Sequence, residues 1–354
     1  VTDTFDEVTY PVSGDVARAV VRASLLSDAR LGEPLRLSGA RAYLADGCTL
    51  DPDRDFVCVI GAFDGLHMGH RAIIEAARGD AHRRGLPLAV VSFDPDPSEV
   101  LSHRPPLRLL SDADRVRSLA LTGADAIIIF DFTWEFSRNS YVDFLDGMLG
   151  AIVHPAAIHV GSNFTFGADG AGTPAAIAEL GRVRGFEAYG HDLMGWGGAP
   201  VSSTRVRHLL MEGNPEEAAR LLCRHHFVRG TVEHGRGEGT GFGFPTANIA
   251  LDPRDCIPAD GVYACYFVDG DVAWPAAVNV GTPRSFQVAP HAMLEANLIG
   301  FTGDLYGVDA KVVFMRYLRA PQRFESRDAL TSAVLANIGW TRENLGNSGV
   351  GGVR

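Results

Sequence analysis

"VCVIGAFDGLHMGHRAII" (Val57–Ile74) decides how this chain is read: an apolar run, a glycine-rich turn carrying two histidines, then a helical pattern. An unbroken apolar run before turn residues predicts a strand covered on both faces, here Phe56–Ile60, and a helix follows over about Gly69–Arg83. His67 and His70 are three residues apart, so a helix starting near Leu66 to Met68 carries both on one side of its first turn. The N–H groups of that turn lack partners within the helix, and the positive end of the dipole lies there. Two imidazoles added to it make a site for a polyphosphate whose charge grows during transfer. Gly61 and Gly65 are expected to let the backbone approach a ligand, and Gly69 to allow close passage of phosphate or a neighbouring strand. A lone histidine at a strand end is most often a packed or surface residue. The spacing Gly-x-Phe-Asp-Gly-x-His-x-Gly-His, with Phe63 and Asp64 inside it, favours a site.

Working outward, apolar runs alternate with amphipathic helices. Strands are expected at Leu86–Phe93, Ala124–Phe132 and Ala156–Gly161, with helices over "DADRVRSLALTG" and "SRNSYVDFLDGML" between them. This alternation predicts a mostly parallel sheet with helices on both faces, whose ligands gather at the carboxyl ends of the strands. From about His226 the pattern becomes short, aromatic and β-branched ("HFVRGTVEHG", "DGVYACYFVDG", "WPAAVNVG", "DAKVVFMRYLR"), which predicts an antiparallel barrel and a boundary near residues 220 to 226. A helix is expected over Arg327–Gly339, and "GNSGVGGVR" reads as a loose tail.

Composition narrows the chemistry. At 354 residues the chain is long enough for two or three domains. The acidic amino terminus and the lack of a long apolar run predict neither a secretory signal nor a membrane span, hence a cytoplasmic protein. Five cysteines without a CxxC pair argue against a disulfide framework or a structural zinc. A net charge of -11 disfavours a general grip on nucleic acid. Lys311 is the one lysine and stands far from any glycine-rich loop, which excludes a Walker A phosphate site.

Two further stretches carry candidate chemistry. "SSTRVR" puts the hydroxyls of Ser202, Ser203 and Thr204 at a helix start, where they cap N–H groups or meet phosphate, with Arg207 offering a guanidinium fork one turn on. In "GRGEGTGFGFPTANI" (235–249), alternate glycines including Gly241 and Gly243 predict a flap able to wrap phosphate, ended by Pro245. Thr246 and Asn248 share one side of an extended segment, and their hard neutral oxygens suit Mg2+ carrying ATP.

GAFDGLHMGH with SSTRVR resembles the nucleotidyltransferase superfamily. The order GAFDGLHMGH, "VVSFDPDP", "VGSNFTFG", SSTRVR and "GFGFPTANI" is similar to the prokaryotic bifunctional riboflavin kinase/FAD synthetase family over roughly residues 55 to 340. The resemblance implies an α/β, Rossmann-like nucleotidyltransferase domain with a parallel sheet (51–222), then an antiparallel β-barrel riboflavin kinase domain (223–342). Residues 1–50 would be an extension of uncertain packing and 343–354 a disordered tail. It implies ATP as co-substrate, Mg2+, riboflavin as substrate, FMN as product of one step and substrate of the next, and FAD as final product. His67 and His70 would stabilise the ATP phosphates, Ser203, Thr204 and Arg207 would hold the β- and γ-phosphates, and Asn163 would assist adenylyl transfer. Thr246 and Asn248 would hold Mg-ATP, and Glu295 would be the general base on riboflavin. Phe93, Asp94, Arg319 and Phe324 would lie on the flavin side.

The chain departs from the family at Asp96, where His is usual, at Pro283-Arg284-Ser285-Phe286, and at Glu295-Ala296-Asn297, where Glu-x-His is usual. Two alternatives therefore stand beside the bifunctional reading. One is an FMN adenylyltransferase whose kinase-like domain is slow or inactive but still binds flavin. The other is a flavin-binding sensor without transfer chemistry.

Overall fold

The structure, a computed structural model, describes residues 8–234, 246–281 and 293–354. The expected flap residues Gly241, Gly243 and Pro245 fall outside these, as do Pro283 to Phe286. The chain divides into two compact units. One comprises residues 29–106 and 110–203; the other takes the described residues before Ala29, Leu107–Leu109 and those from Thr204 onward.

The first unit is built on a seven-stranded sheet of β1 (Leu35–Leu37), β2 (Ala40–Leu44), β3 (Asp55–Ile60), β4 (Leu88–Asp94), β5 (Ala126–Asp131), β6 (His154–Gly161) and β7 (Glu187–His191). Its order is β1-β2-β5-β4-β3-β6-β7, parallel from β5 to β7 and antiparallel at β1 and β2. Strand β3 shows why the fold forms. Phe56, Cys58 and Ile60 enter the core on one face, while Val57 and Val59 enter the core beneath the helix Met68–Arg84 on the other. A two-stranded hairpin follows, β8 (Gly195–Trp196) with β9 (Ala199–Pro200).

Three expectations change here. Residues 29–50 are not a separate extension: Ala40 and Ala42 are buried where β2 pairs with β5. Instead of one helix over Ser137–Leu149, the chain makes a one-turn helix at Trp134–Ser137 and a second helical stretch that is π-helical over Asp143–Leu149, with Ser140 Oγ accepting from the Asp143 N–H at 3.0 Å. Strand β7 was missed, because "EAYGH" has neither an apolar run nor clean alternation.

The second unit is a closed antiparallel barrel of β10 (Phe227–Glu233), β11 (Ala247–Leu251), β12 (Gly261–Asp269), β13 (Val272–Gly281), β14 (Met293–Leu298) and β15 (Asp309–Arg319). The order β12-β15-β10-β11-β14-β13 closes through β12 and β13. Inward residues including Val228, Ile249, Tyr263, Cys265, Val278, Leu294 and Phe314 fill it. This unit begins at Thr204, ahead of the boundary expected at residues 220 to 226. The helix Ser203–Met211 buries Leu210, whose carbonyl accepts from Ala259 N–H at 2.9 Å, and Gly213 lies against the Tyr317 ring.

The expected loose tail is ordered. The helix from Arg327 runs to Leu345, and β16 (Val350–Gly351) pairs with β13. Val353 is fully buried, and Asp271 accepts the N–H groups of Gly352 at 3.1 Å and Arg354 at 2.8 Å. Arg18 and Arg22, on the helix Gly14–Ser24, donate to the carbonyls of Gly351 and Gly352. Main-chain pairing of this kind leaves little mark in a Gly-rich sequence.

Among the described residues no disulfide forms, and Cys58 and Cys265 sit in the cores of the two units. Burial pushes the Cys58 thiol up to about 12 and raises that of Cys265 well above its usual range. Among the described residues no helix is long and apolar enough to cross a membrane.

Candidate active site

The first site forms where β3 gives way to the helix Met68–Arg84. Phe63 (φ 56°), Gly65 (φ 76°) and Leu66 (φ 43°) are all left-handed. For the two side-chain-bearing residues this costs about 1–2 kcal/mol each, so the turn must be held by its surroundings. Ser92 Oγ donates to the Ala62 carbonyl at 3.1 Å, Ser203 Oγ to that of Asp64 at 2.8 Å, and Arg71 Nε to that of Leu66 at 3.2 Å.

The turn delivers His67 to the N-cap, where its Nδ1 accepts from the His70 N–H at 3.3 Å. That bond puts the neutral ring's proton on Nε2. The two imidazoles stack with centroids 3.7 Å apart, and Phe63 meets His70 edge-on at 5.4 Å. Burial, then the neighbouring His67, holds His70 well below the usual histidine range, and its buried Nδ1 has no partner. Two neutral rings thus cover the positive end of the helix.

The glycines also serve the turn itself. A Cβ on Gly61 would lie 2.9 Å from the Phe63 ring, and one on Gly69 3.2 Å from the His67 ring. Both make room for the aromatic groups that build the turn. Only Gly65 is required by its backbone angle. Phe63 and Asp64 are themselves buried, so they shape the turn from within.

Neighbouring expectations divide. Ser203 opens the helix Ser203–Met211 and is joined to the turn through Asp64; Ser202 precedes it, half-buried. Thr204 is exposed, and Arg207 Nε donates to the Leu107 carbonyl at 2.5 Å. Asn163 is exposed just past β6, its Oδ1 beside Gly161. The strand order reverses between β3 and β6, so the histidine turn and the Asn163 loop both lie at the switch point where such sheets bind ligands. Phe93 does not present a face to flavin: it is 4% exposed, packed among Phe130, Phe132, Phe136 and Phe144. Asp94 ends β4 in an ion pair with Arg41. Asp96 caps the helix Pro97–Leu101 by accepting from Ser98 N–H at 2.9 Å.

In the barrel, register does the assembling. Asn248 on β11 stands directly opposite Glu295 on β14, and Asn279 on β13 stands opposite Glu295 on its other side. Glu295 and Asn279 are exposed and Asn248 half-buried, while their neighbours Ile249, Leu294, Val278 and Val280 point into the core. Thr246, exposed, precedes the strand. Asn279 escaped the sequence reading, although its alternation with Val278 and Val280 marks the polar face. Arg319 lies over the Phe324 ring at 5.5 Å, donates from Nη1 to the Ala320 carbonyl at 3.2 Å, and is lowered from its usual range by burial.

Two family models match the chain, FAD synthetase over residues 50–205 and riboflavin kinase over 222–345. A bifunctional riboflavin kinase/FMN adenylyltransferase of Escherichia coli K12 is 33% identical over 297 residues, covering 83% of this chain and 94% of that one. The chain belongs to the bifunctional riboflavin kinase/FMN adenylyltransferase family. A member from Pseudomonas fluorescens is 34% identical over 290 residues, covering 82% and 93%. A crystal structure from Streptococcus pneumoniae, named a macrolide-efflux protein, superposes with a TM-score of 0.74 at 30% identity, covering 82% of this chain and 95% of that one. Each family model falls on the part of the chain that carries one of the two candidate sites.

Proposed function

We propose that the chain makes FAD in two steps at separate sites, converting riboflavin and ATP to FMN and ADP, then FMN and ATP to FAD and pyrophosphate. The observation that carries this reading is that each unit holds its own polar cluster: stacked histidines at a helix start in one, and the Asn248–Glu295 pair in the other.

In the adenylyl-transfer step an FMN phosphate oxygen attacks the α-phosphorus of ATP and pyrophosphate leaves. No covalent enzyme intermediate is needed, so alignment and charge stabilisation supply the rate. His67 and His70 face the departing charge, which favours the protonated form of a ring otherwise held neutral. Ser202, Ser203, Thr204 and Arg207 hold the β- and γ-phosphates, and Asn163 lies on the nucleotide side. In the kinase step Glu295 takes the proton of the ribityl 5'-hydroxyl as the γ-phosphoryl moves to it. Asn248 and Thr246 offer the neutral oxygen donors that fit a Mg2+ ion entering with ATP, which neutralises phosphate charge when bound. Arg319 and Phe324 form the flavin side of that site. The reading places the enzyme in the cytoplasm, free of nucleic acid and membrane.

Product analysis tests it. Purified protein with Mg-ATP should form FMN and then FAD from riboflavin, and FAD from supplied FMN. FAD from FMN without any FMN from riboflavin would leave only the adenylyltransferase, and flavin binding without turnover would leave only a sensor.

A further inference from the structure

Arg115 belongs to no motif used above, yet it is a buried charge at the carboxyl edge of the first sheet. It lies on the helix Asp112–Ala120 and is 3% exposed. Its Nη2 donates to the Phe93 carbonyl at 2.6 Å and to Asp112 Oδ1 at 3.2 Å; its Nη1 reaches the Ala62 carbonyl at 3.5 Å. Asp94 and Asp96 lie 3.8 and 3.7 Å from the same guanidinium. One side chain therefore grips both the end of β4 and the residue before the left-handed turn.

We infer, resting on the adenylyl-transfer reading, that Arg115 is a positioning residue that fixes the nucleotide-binding turn against the carboxyl end of β4. A guanidinium is withdrawn from water only at a substantial free-energy cost, and apolar side chains commonly fill such a space with equal or better stability. What an apolar residue lacks is a rigid fork able to hold two carbonyls, one on β4 and one in the loop after β3, at a fixed separation. Here one carbonyl, that of Ala62, precedes Phe63, Gly65 and Leu66, which set the position of His67. The other, that of Phe93, precedes Asp94, Pro95 and Asp96, where the chain leaves β4. Adenylyl transfer requires the attacking oxygen, the α-phosphorus and the leaving oxygen to lie in line, so the spacing of these two backbone segments bears on the rate. Ser92, donating to the same Ala62 carbonyl, is the second fastening.

The two activities of the full chain give the test an internal reference. Arg115→Met should lower kcat for adenylylation of supplied FMN by about a hundredfold, the usual consequence of displacing reacting groups by about 1 Å, with a smaller change in KM for ATP. Riboflavin phosphorylation should keep the wild-type rate. Arg115→Lys, which keeps the charge but not the fork, should fall between Met and wild type. Because removing a buried cation can prevent folding, Ser92→Ala provides the gentler variant, with a smaller loss in the same step alone. Wild-type adenylylation kcat in both Arg115→Lys and Ser92→Ala would overturn the inference, as would losses that track the folded fraction equally in both reactions. Wild-type protein that makes no FAD would strike the adenylyl-transfer reading itself.

Discussion

Glu295 shows how a candidate catalytic group becomes visible only through its neighbours. Alone in sequence, an exposed glutamate on a strand is most often solvated surface; the ladder gives it Asn248 on one side and Asn279 on the other. Replacing it with Gln keeps the shape and removes the proton acceptor. Glu295→Gln should reduce FMN formation from riboflavin by about 10²- to 10⁴-fold and leave adenylylation of supplied FMN unchanged, followed by chromatography of the two products. Loss of both would mean one shared centre. The histidine turn was legible from its spacing, because helical periodicity is local. The reasons for Gly61 and Gly69 were not, since each answers to a ring that folds back on it, Phe63 and His67. Phe93 was misplaced for a related reason. Its four aromatic neighbours are scattered from Phe130 to Phe144 and meet only in the packed core.

Among the elements, the segment entering the barrel has its own electrostatic consequence. His225 and His226 are buried, with Nδ1 of the first against the Phe314 carbonyl at 3.0 Å and Nε2 of the second against the Cys256 carbonyl at 2.7 Å. Those carbonyls accept, so each ring donates as a neutral imidazole. Burial, opposed by that bond and aided by Arg224, pushes His225 down to about 4; burial and then Arg224 push His226 down to about 3. The unfolded chain binds protons at the ordinary histidine value while the folded chain does not, so stability is full above about 6.5 and falls as pH drops toward 4. Urea midpoints read by hydrogen exchange in β12 and β15 should fall between pH 7 and pH 5, and His226→Gln should flatten the slope. A midpoint constant across that window would refute the assignment. Strands β3, β4, β5 and β6 were readable as unbroken apolar runs, and β10, β12, β13 and β15 as short aromatic and β-branched ones. Strand β16 was not, because its attachment is made by main-chain groups, Asp271 and two arginines on a distant helix.

At the scale of the molecule, the change of pattern near residue 226 correctly announced two architectures. It did not reveal that residues ahead of it, from Thr204, belong with the barrel, or that the helix Gly14–Ser24 does too. Periodicity reports what an element is; the partner it buries against is fixed by tertiary packing. Each unit also keeps a thiol deep in its own core, Cys58 on β3 and Cys265 on β12, both protonated far above neutral pH. Only the thiolate reacts with an alkylating reagent, so modification at either position marks a molecule whose corresponding half has opened. The chain thus carries a pair of native clocks, one for each half, from which the order of their unfolding can be timed without adding a label to the sequence.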